Sequence, residues 1–496
     1  MDAADTGNFS QPPECNPAKR SVSYIATSKN RNVRLALLFT FLSSASRGIW
    51  AFVILSNFIH VLTNSTVTVG FAEGIQGLSQ CIFALVAGIA ADRFSREFSL
   101  KLAGIFGLVA CGVAIFALNY QSSWLTQQYR YYFIVAFLCF WGAYQGIWTT
   151  SLETIFADSI ATGKRSEFST QKFILLQISS VTGPVIGILL FLYKGNNWKY
   201  NVLKEIFLIG ILLSLPSIFI LFLFKDKYTL GKKSESYSPR LSSPLINVED
   251  LEDEQCENVD GEGCNVNKLA FGQHEFANKH TIPSSVSKMR YIPYILAIAD
   301  VISGISAGMT VKFFPLFFAD ELKLSPTYTN GIYVALPILM SILARGGQIV
   351  ADKFLGRICT VIVMSSGGAL ALIALWAIQR FLPNTIPTYA KIVIYVLSTL
   401  QHCVRPLKKS LLMDFVPKKR RGVWNAVDSV TRFGWSGSAV LGGWIIHRDG
   451  YGVSFLYTGI LQFFAALFLL VLLPLMPHTD HERKMAANSD VQDSRQ

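Results

Sequence analysis

Ionisable side chains inside long apolar runs are the residues of this sequence best suited to chemistry. Arg47, Glu73 and Asp300 each stand inside such a run. A charge in hydrocarbon is costly, so we interpret such residues as functional by default. The planar fork of donors on Arg47 suits a carboxylate or phosphate group of a substrate. A carboxylate takes up and releases protons, and we expect Asp300 first and Glu73 second to bind a coupling ion.

A second set of polar residues completes the candidate binding site. It consists of Gln145, Gln401, His402 and Arg405. The two glutamines occupy matching positions in the two halves of the chain and are expected to give neutral hydrogen bonds from both. With Arg47, this set favours an organic anion or a zwitterion as substrate.

The opposing interpretation assigns these charges to structure rather than to binding. In it, Arg405 belongs with Lys408 and Lys409 to a basic border at the membrane surface. In the same interpretation, Arg47 is already paired with Asp300. Lys312, near the end of its apolar run, is expected to extend its ammonium group to the interface.

The apolar runs that carry these residues are long enough to cross a membrane, which takes about 20 helical residues. Six runs precede a polar gap and six follow it, and their continuity predicts helices rather than alternating barrel strands. The first six lie near 34–62, 68–90, 99–119, 131–154, 169–193 and 202–224. The second six lie near 291–316, 328–351, 358–379, 389–407, 424–446 and 453–476. We number these spans one to twelve, and they predict an all-α membrane protein.

Composition and charge exclude several other classes of protein. Only 15% of the residues are charged, against about 25% in soluble proteins. The net charge of +12 comes from basic residues beside the apolar runs, which argues against nucleic-acid binding. No phosphate-binding loop, metal-ligand cluster or nucleophile–base pair is apparent, so we expect no enzyme, no ATP-driven pump, no metal and no cofactor.

Lys and Arg concentrate in the connections that follow even-numbered spans, which predicts that both termini are cytoplasmic. The choice between the plasma membrane and an internal membrane stays open. The polar gap is rich in Ser, Pro, Asn and Gly, a composition that favours a disordered linker. The predicted units are a tail, a six-helix bundle, a cytoplasmic linker, a second bundle and a second tail, at 1–32, 33–224, 225–290, 291–477 and 478–496.

The connections after spans two and four recur, in altered form, after spans eight and ten. Span two ends with an acidic and a basic residue, and an Arg follows one turn later. The copy after span eight has the same residue types, but one extra residue stands on each side of its Asp. After spans four and ten, an Asp precedes an Arg by seven residues. These candidate gate residues are Gly88, Asp92, Arg93 and Arg96, then Asp158 and Arg165, then Asp352, Lys353 and Arg357, then Asp414 and Arg421.

The loop after span two resembles the signature of the major facilitator superfamily, Gly-x-x-x-Asp-Arg-x-x-Arg. Gly88, Asp92, Arg93 and Arg96 match it, whereas Glu97 departs from the basic residue often found last. With the repeat and the six-plus-six layout, the resemblance covers nearly the whole chain. It implies a major-facilitator-like fold, in which two six-helix bundles related by pseudo-symmetry surround a central cavity that opens alternately to each side.

The resemblance also implies that a loop carboxylate caps a helix of the other half and closes the cytoplasmic side. Span eleven is expected to begin near Trp424, so its N-terminal N–H groups are available to Asp92. The alternative is that these loop charges only set the topology. The sequence therefore predicts a secondary transporter of a small solute, monomeric in a lipid bilayer and driven by a substrate gradient or by protons. A receptor or scaffold on the same fold, which transports nothing, is the rival interpretation.

Overall fold

The computed structural model describes residues 30–93, 95–119, 126–160, 165–230, 291–383, 385–414, 431 and 434–475. These residues form helices joined by short turns, and they contain no strand. The prediction of an all-α chain is thereby confirmed.

The first half contains six helical spans. Span one is interrupted after Trp50, where two residues in a turn separate its two helices. The helices are Arg31–Trp50 and Val53–Thr63 for span one, Thr66–Arg93, Arg96–Asn119, Gln127–Asp158 and Arg165–Lys194 for spans two to five, and Tyr200–Ile220 with the 3-10 turn Leu221–Leu223 for span six.

The second half repeats this layout with more interruptions. Its helices are Ile292–Val311 and Phe314–Asp320 for span seven, Pro326–Val350 and Arg357–Phe381 for spans eight and nine, Thr388–Ser398, Leu400–Cys403 and Arg405–Asp414 for span ten, Ala439–Asp449 for span eleven, and Tyr451–Phe468 with Leu469–Leu475 for span twelve. Ten of the described helices are long and apolar enough to cross a membrane. Spans ten and eleven are not among them, because span ten is broken and part of span eleven lies outside the described residues.

We call the side that holds Arg31, where span one begins, the termini side, and the side that holds Thr63 the far side. Within the first half, span four packs on spans two and three, and within the second, span twelve packs on spans seven and nine. An aromatic cluster fixes the first half. The Trp50 ring centroid lies 4.9 Å from that of Trp141 and 5.6 Å from that of Phe207.

The chain continues to pack on the first half after span six. Asn32 is fully buried, and its Nδ2 donates to the carbonyl of Lys225 at 2.9 Å. The backbone N–H of Asp226 donates to Glu97 at 3.2 Å, and an Asp226 carboxylate oxygen accepts from the N–H of Glu97 at the same distance. A 3-10 turn follows at Asp226–Tyr228. The structure thus extends the packed first half beyond 224, where the sequence places the beginning of the linker.

Candidate functional site

The two halves contact each other on the far side. Spans two and five pack along spans eleven and eight, respectively. At the rim, Trp198 Nε1 donates to the carbonyl of Leu324 at 2.9 Å, and Asn196 Nδ2 donates to Ser325 Oγ at 3.2 Å. The far side is therefore closed by direct packing and hydrogen bonds between the halves.

A histidine contributes a charge-dependent contact to this rim. His60 Nε2 of span one lies 3.3 Å from Asp320 Oδ2 of span seven. The hydroxyl of Tyr451 donates to the same carboxylate oxygen at 2.7 Å. The contact joins the two halves, and protonation of His60 turns it into an ion pair.

A buried ion pair lies deeper in the same interface. Lys312 Nζ donates to Glu73 Oε2 at 2.7 Å, and the side chains of Lys312 and Glu73 are 9% and 1% exposed. The ammonium also lies 4.9 Å from the ring centroid of Trp435, which belongs to the same half as Lys312. The expectation that Lys312 extends to the interface is wrong, because its charge is satisfied inside the protein by Glu73 of the other half.

Asp300 takes part in a second ion pair. Its Oδ1 lies 3.1 Å from Lys408 Nζ of span ten, and the two side chains are 37% and 7% exposed. Both residues belong to the second half. This geometry joins Asp300 to a lysine that the sequence interpretation placed in the basic border, rather than to Arg47.

Gln145 lies in a polar contact within the first half. It accepts a hydrogen bond from Gln76 of span two at 3.0 Å. Glycines allow this close approach, because an ideal Cβ on Gly142 or Gly146 would lie 2.3 Å from a backbone oxygen of span two. Gln145 therefore joins spans two and four, and its amide is already engaged in this state.

The remaining predicted binding residues lie in different parts of the bundle. Arg47 is half-buried, and its guanidinium carbon lies 5.8 Å from the ring centroid of Phe52. Gln401 packs against Gly368 of span nine. His402 is half-buried in the short helix Leu400–Cys403, and Arg405 is exposed.

Two of the candidate gate residues contact each other on the termini side. Arg96 and Asp158 form an ion pair between the loops that follow spans two and four. Gly88 is half-buried, and Asp352 and Lys353 are exposed. The side chains of Asp92, Arg93, Arg165 and Asp414, and all of Arg421, lie outside the described residues. The structure therefore leaves capping by Asp92 a prediction.

Comparison with known proteins identifies the family. The model of the Major Facilitator Superfamily matches residues 36–437. The chain belongs to the Major Facilitator Superfamily. With its apolar helices, this membership makes it an integral multi-pass membrane protein.

Curated relatives match part of the chain. The Enterobactin exporter EntS of Shigella flexneri is 28% identical over 191 residues, which are 37% of this chain and 44% of the exporter. The protein of the same name from Escherichia coli O127:H6 is 26% identical over 189 residues, 37% of this chain and 43% of the exporter. The chain thus spans less than half the length of these relatives.

Solved structures of transporters share the fold over nearly the whole chain. A D-xylose-proton symporter has a TM-score of 0.63 at 14% identity and covers 92% of this chain and 99% of its own. A bacterial homologue of the iron transporter ferroportin, in an inward-facing state, has a TM-score of 0.61 at 15% identity and covers 89% and 98%. At these identities the likeness shows the fold alone.

The second-half copy of the superfamily signature has a structural explanation for part of its altered spacing. Residues Ala351–Leu355 form a single π-helical turn at the end of span eight. A π turn holds one residue more than an α turn, so it accommodates one of the two extra residues of this copy without unwinding the helix. Gly356 then reverses the chain with φ 74°, a backbone conformation that favours glycine.

Sequence reasoning missed the partners of both acids. Lys312 and Lys408 were each assigned to an interface, yet both are less than a tenth exposed. The signal for Lys312 was its place inside the run 291–316, which continues past it with Phe313, Phe314 and Pro315. Among the described residues, no group of three or more His, Cys, Asp or Glu side chains could hold a metal ion.

Proposed function

We propose that the chain is a secondary transporter that moves a small solute by alternating access between its two halves. The observation that carries this proposal is the far-side interface, where the halves are joined by the buried Glu73–Lys312 pair. Each half has its own packed core elements, so the interface can open while both halves keep their internal contacts. Because the far side is closed, we propose that the solute site is reached from the termini side in the state observed, and that this side is cytoplasmic.

We propose an organic anion or a zwitterion with a carboxylate as the substrate class. Arg47 supports this proposal, because it is a half-buried cation near the middle of span one. Its guanidinium forms two parallel hydrogen bonds with a carboxylate, which an ammonium group cannot reproduce. His402 and Arg405, on the broken span ten, add donors from the second half.

Energy for uphill transport is proposed to come from protons or from the gradient of a second solute. The relatives include proteins named as an exporter and as a proton symporter. These names differ in direction and in substrate, so the assay must measure movement in both directions. We further propose that Asp92 stabilises the closed termini side, and that one monomer is sufficient for transport.

The direct test is transport in proteoliposomes that contain the full chain. Labelled organic anions, zwitterions, cations and neutral sugars are each offered with and without a pH gradient, and both uptake and efflux are followed. We expect movement of at least one anionic or zwitterionic solute above empty liposomes. Movement of cations alone contradicts the substrate class, and movement of none of the solutes favours the receptor or scaffold function.

Arg47→Lys sharpens the test once a solute moves. A site that holds a carboxylate through two parallel hydrogen bonds loses affinity by about tenfold or more, since such charge-assisted bonds contribute about 1.5–3 kcal/mol. The expected result is a raised KM with little change in maximal rate. An unchanged KM means that Arg47 has a structural role and that the anion is recognised elsewhere.

A further inference from the structure

The Glu73–Lys312 pair must separate whenever the halves part on the far side. Glu73 is on span two of the first half, and Lys312 is on span seven of the second, 2.7 Å away. Span two also packs closely on span eleven, because an ideal Cβ on Gly70 would lie 2.4 Å from the carbonyl oxygen of Ala439. The pair therefore joins two halves whose backbones are in direct contact beside it, and parting of the halves there draws its two side chains apart.

The two partners differ in what they keep after separation. Lys312 keeps the ring of Trp435, 4.9 Å away on its own half. Glu73 is 1% exposed, and its Oε1 is buried without a hydrogen-bond partner among the described residues. A charge in so buried a position that loses its partner before water reaches it is strongly unfavourable. The carboxylate, rather than the ammonium, therefore opposes opening.

We propose that Glu73 takes up a proton from the far-side solution when the far side opens, and releases it when that side closes. This inference rests on the transporter function proposed above and names the coupling group of the same site. The proton bonds to a carboxylate oxygen and gives a neutral acid, and Lys312 keeps its charge beside Trp435. One positive charge enters the interface in each opening, and acid on the far side favours the open state.

Other charged groups lie on the elements around the far-side half of span two. Besides tyrosines and cysteines, the charged or titratable residues there are Lys312, Arg130, Arg448, Asp449, His60 and His447. The two histidines are replaced in the test below, so that neither contributes to the response to acid. A protonated His60 attracts Asp320 of the other half and therefore favours the closed far side. Its effect has the opposite sign to that of Glu73.

The test measures far-side opening directly, without a solute. Spin labels are placed by Tyr193→Cys and Tyr328→Cys, which are exposed far-side positions on different halves. The parent chain for this experiment has its eight cysteines replaced by serine and carries His60→Gln and His447→Gln. Label-to-label distances are recorded by pulsed spin resonance in lipid nanodiscs at pH 7.5 and 5.5.

The parent is expected to show mainly short distances at pH 7.5. Its ratio of long to short distances should rise at least tenfold at pH 5.5. Glu73→Gln, which mimics the protonated acid, should show the long distances at both pH values. A Glu73→Gln chain that stays closed, or that keeps the parent's pH response, overturns the proposal.

A second variant covers the case in which Glu73→Gln fails to fold. The double variant Glu73→Gln with Lys312→Gln leaves no buried charge behind, and it is expected to fold and to ignore pH. If it keeps the pH response, the proton binds elsewhere.

Asp300→Asn is the matched comparison, because its ion pair lies within one half. It should keep the pH response, and loss of the response in Asp300→Asn alone assigns the proton to Asp300.

The distances need no solute, so they test Glu73 whether or not the chain transports. A failed transport screen beside an intact Glu73 response overturns the transport proposal alone.

Discussion

Two intramembrane ion pairs among the described residues place the same chemical groups in different mechanical situations. Glu73 and Lys312 are 1% and 9% exposed and belong to different halves. Asp300 and Lys408 are 37% and 7% exposed and belong to one half. In the alternating access that we propose, the first pair separates and the second moves as a unit. We therefore expect the coupling role of an acid in an apolar run to depend on which half holds its partner.

Span seven contributes one residue to each pair, and its geometry keeps the pairs apart. Asp300 and Lys312 are twelve residues apart in sequence. In a helix this spacing gives about 18 Å along the axis and a rotation of about 120°. Asp300 thus faces span ten towards the termini side, while Lys312 faces the first half on the far side. One helix therefore links both pairs to the same rigid half.

The largest expected difference between the pairs is in stability. Glu73→Ala leaves the Lys312 charge buried without its carboxylate, which costs about 3–5 kcal/mol. Asp300→Ala removes a carboxylate that is 37% exposed, so water can take its place beside the buried Lys408, and the cost should be smaller. Unfolding by a strong denaturing detergent, followed by circular dichroism, measures both. Equal losses contradict the assignment of the Glu73 pair as the buried one.

The fold was more predictable than the pairs. Periodic apolar runs and the loop signature depend on local sequence, and they place spans two to six within a few residues of their observed bounds. Span ten was harder, because its break at Thr399 has no neighbouring proline or glycine. Its break at Val404 lies just before Pro406, which cannot donate the backbone hydrogen bond that would continue the helix. Partners such as Glu73 and Lys312 depend on how two helices are rotated about their axes. That rotation is set by packing between residues 239 positions apart.

The same reasoning explains why the positions of Gln145 and Gln401 were predictable and their contacts were not. Their matching positions in the two halves follow from the repeat, which is visible in the sequence. Their contacts depend on how closely neighbouring helices approach, since Gln145 contacts Gln76 beside Gly142 and Gly146, and Gln401 contacts Gly368. Small residues such as these glycines set the distance between the helices.

A smaller expected effect concerns the aromatic partner of Lys312. A desolvated ammonium above an aromatic ring contributes about 1–2 kcal/mol, and the indole ring of Trp435 binds a cation more strongly than a phenyl ring. A double-mutant cycle of Trp435→Phe with Lys312→Met should therefore give a coupling energy of about 1 kcal/mol. The control cycle of Trp435→Phe with Lys408→Met should give none. A coupling that is equal in both cycles assigns the effect of Trp435 to general packing.

The smallest expected effect is the response of the two pairs to salt. Raising the ionic strength from 0.1 M to 1 M shortens the screening length from about 10 Å to about 3 Å. Ions reach Asp300, which is 37% exposed, so the stability lost in Asp300→Asn should shrink by a few tenths of a kcal/mol at high salt. Ions do not reach Glu73 while the far side is closed, so the loss in Glu73→Gln should not change. Detergent unfolding of the parent and both variants at the two salt concentrations gives the four differences. The contrary result is a stability loss in Glu73→Gln that falls with salt as much as the stability loss in Asp300→Asn. That result shows that water enters the far-side interface. Glu73 can then lose its partner without taking up a proton.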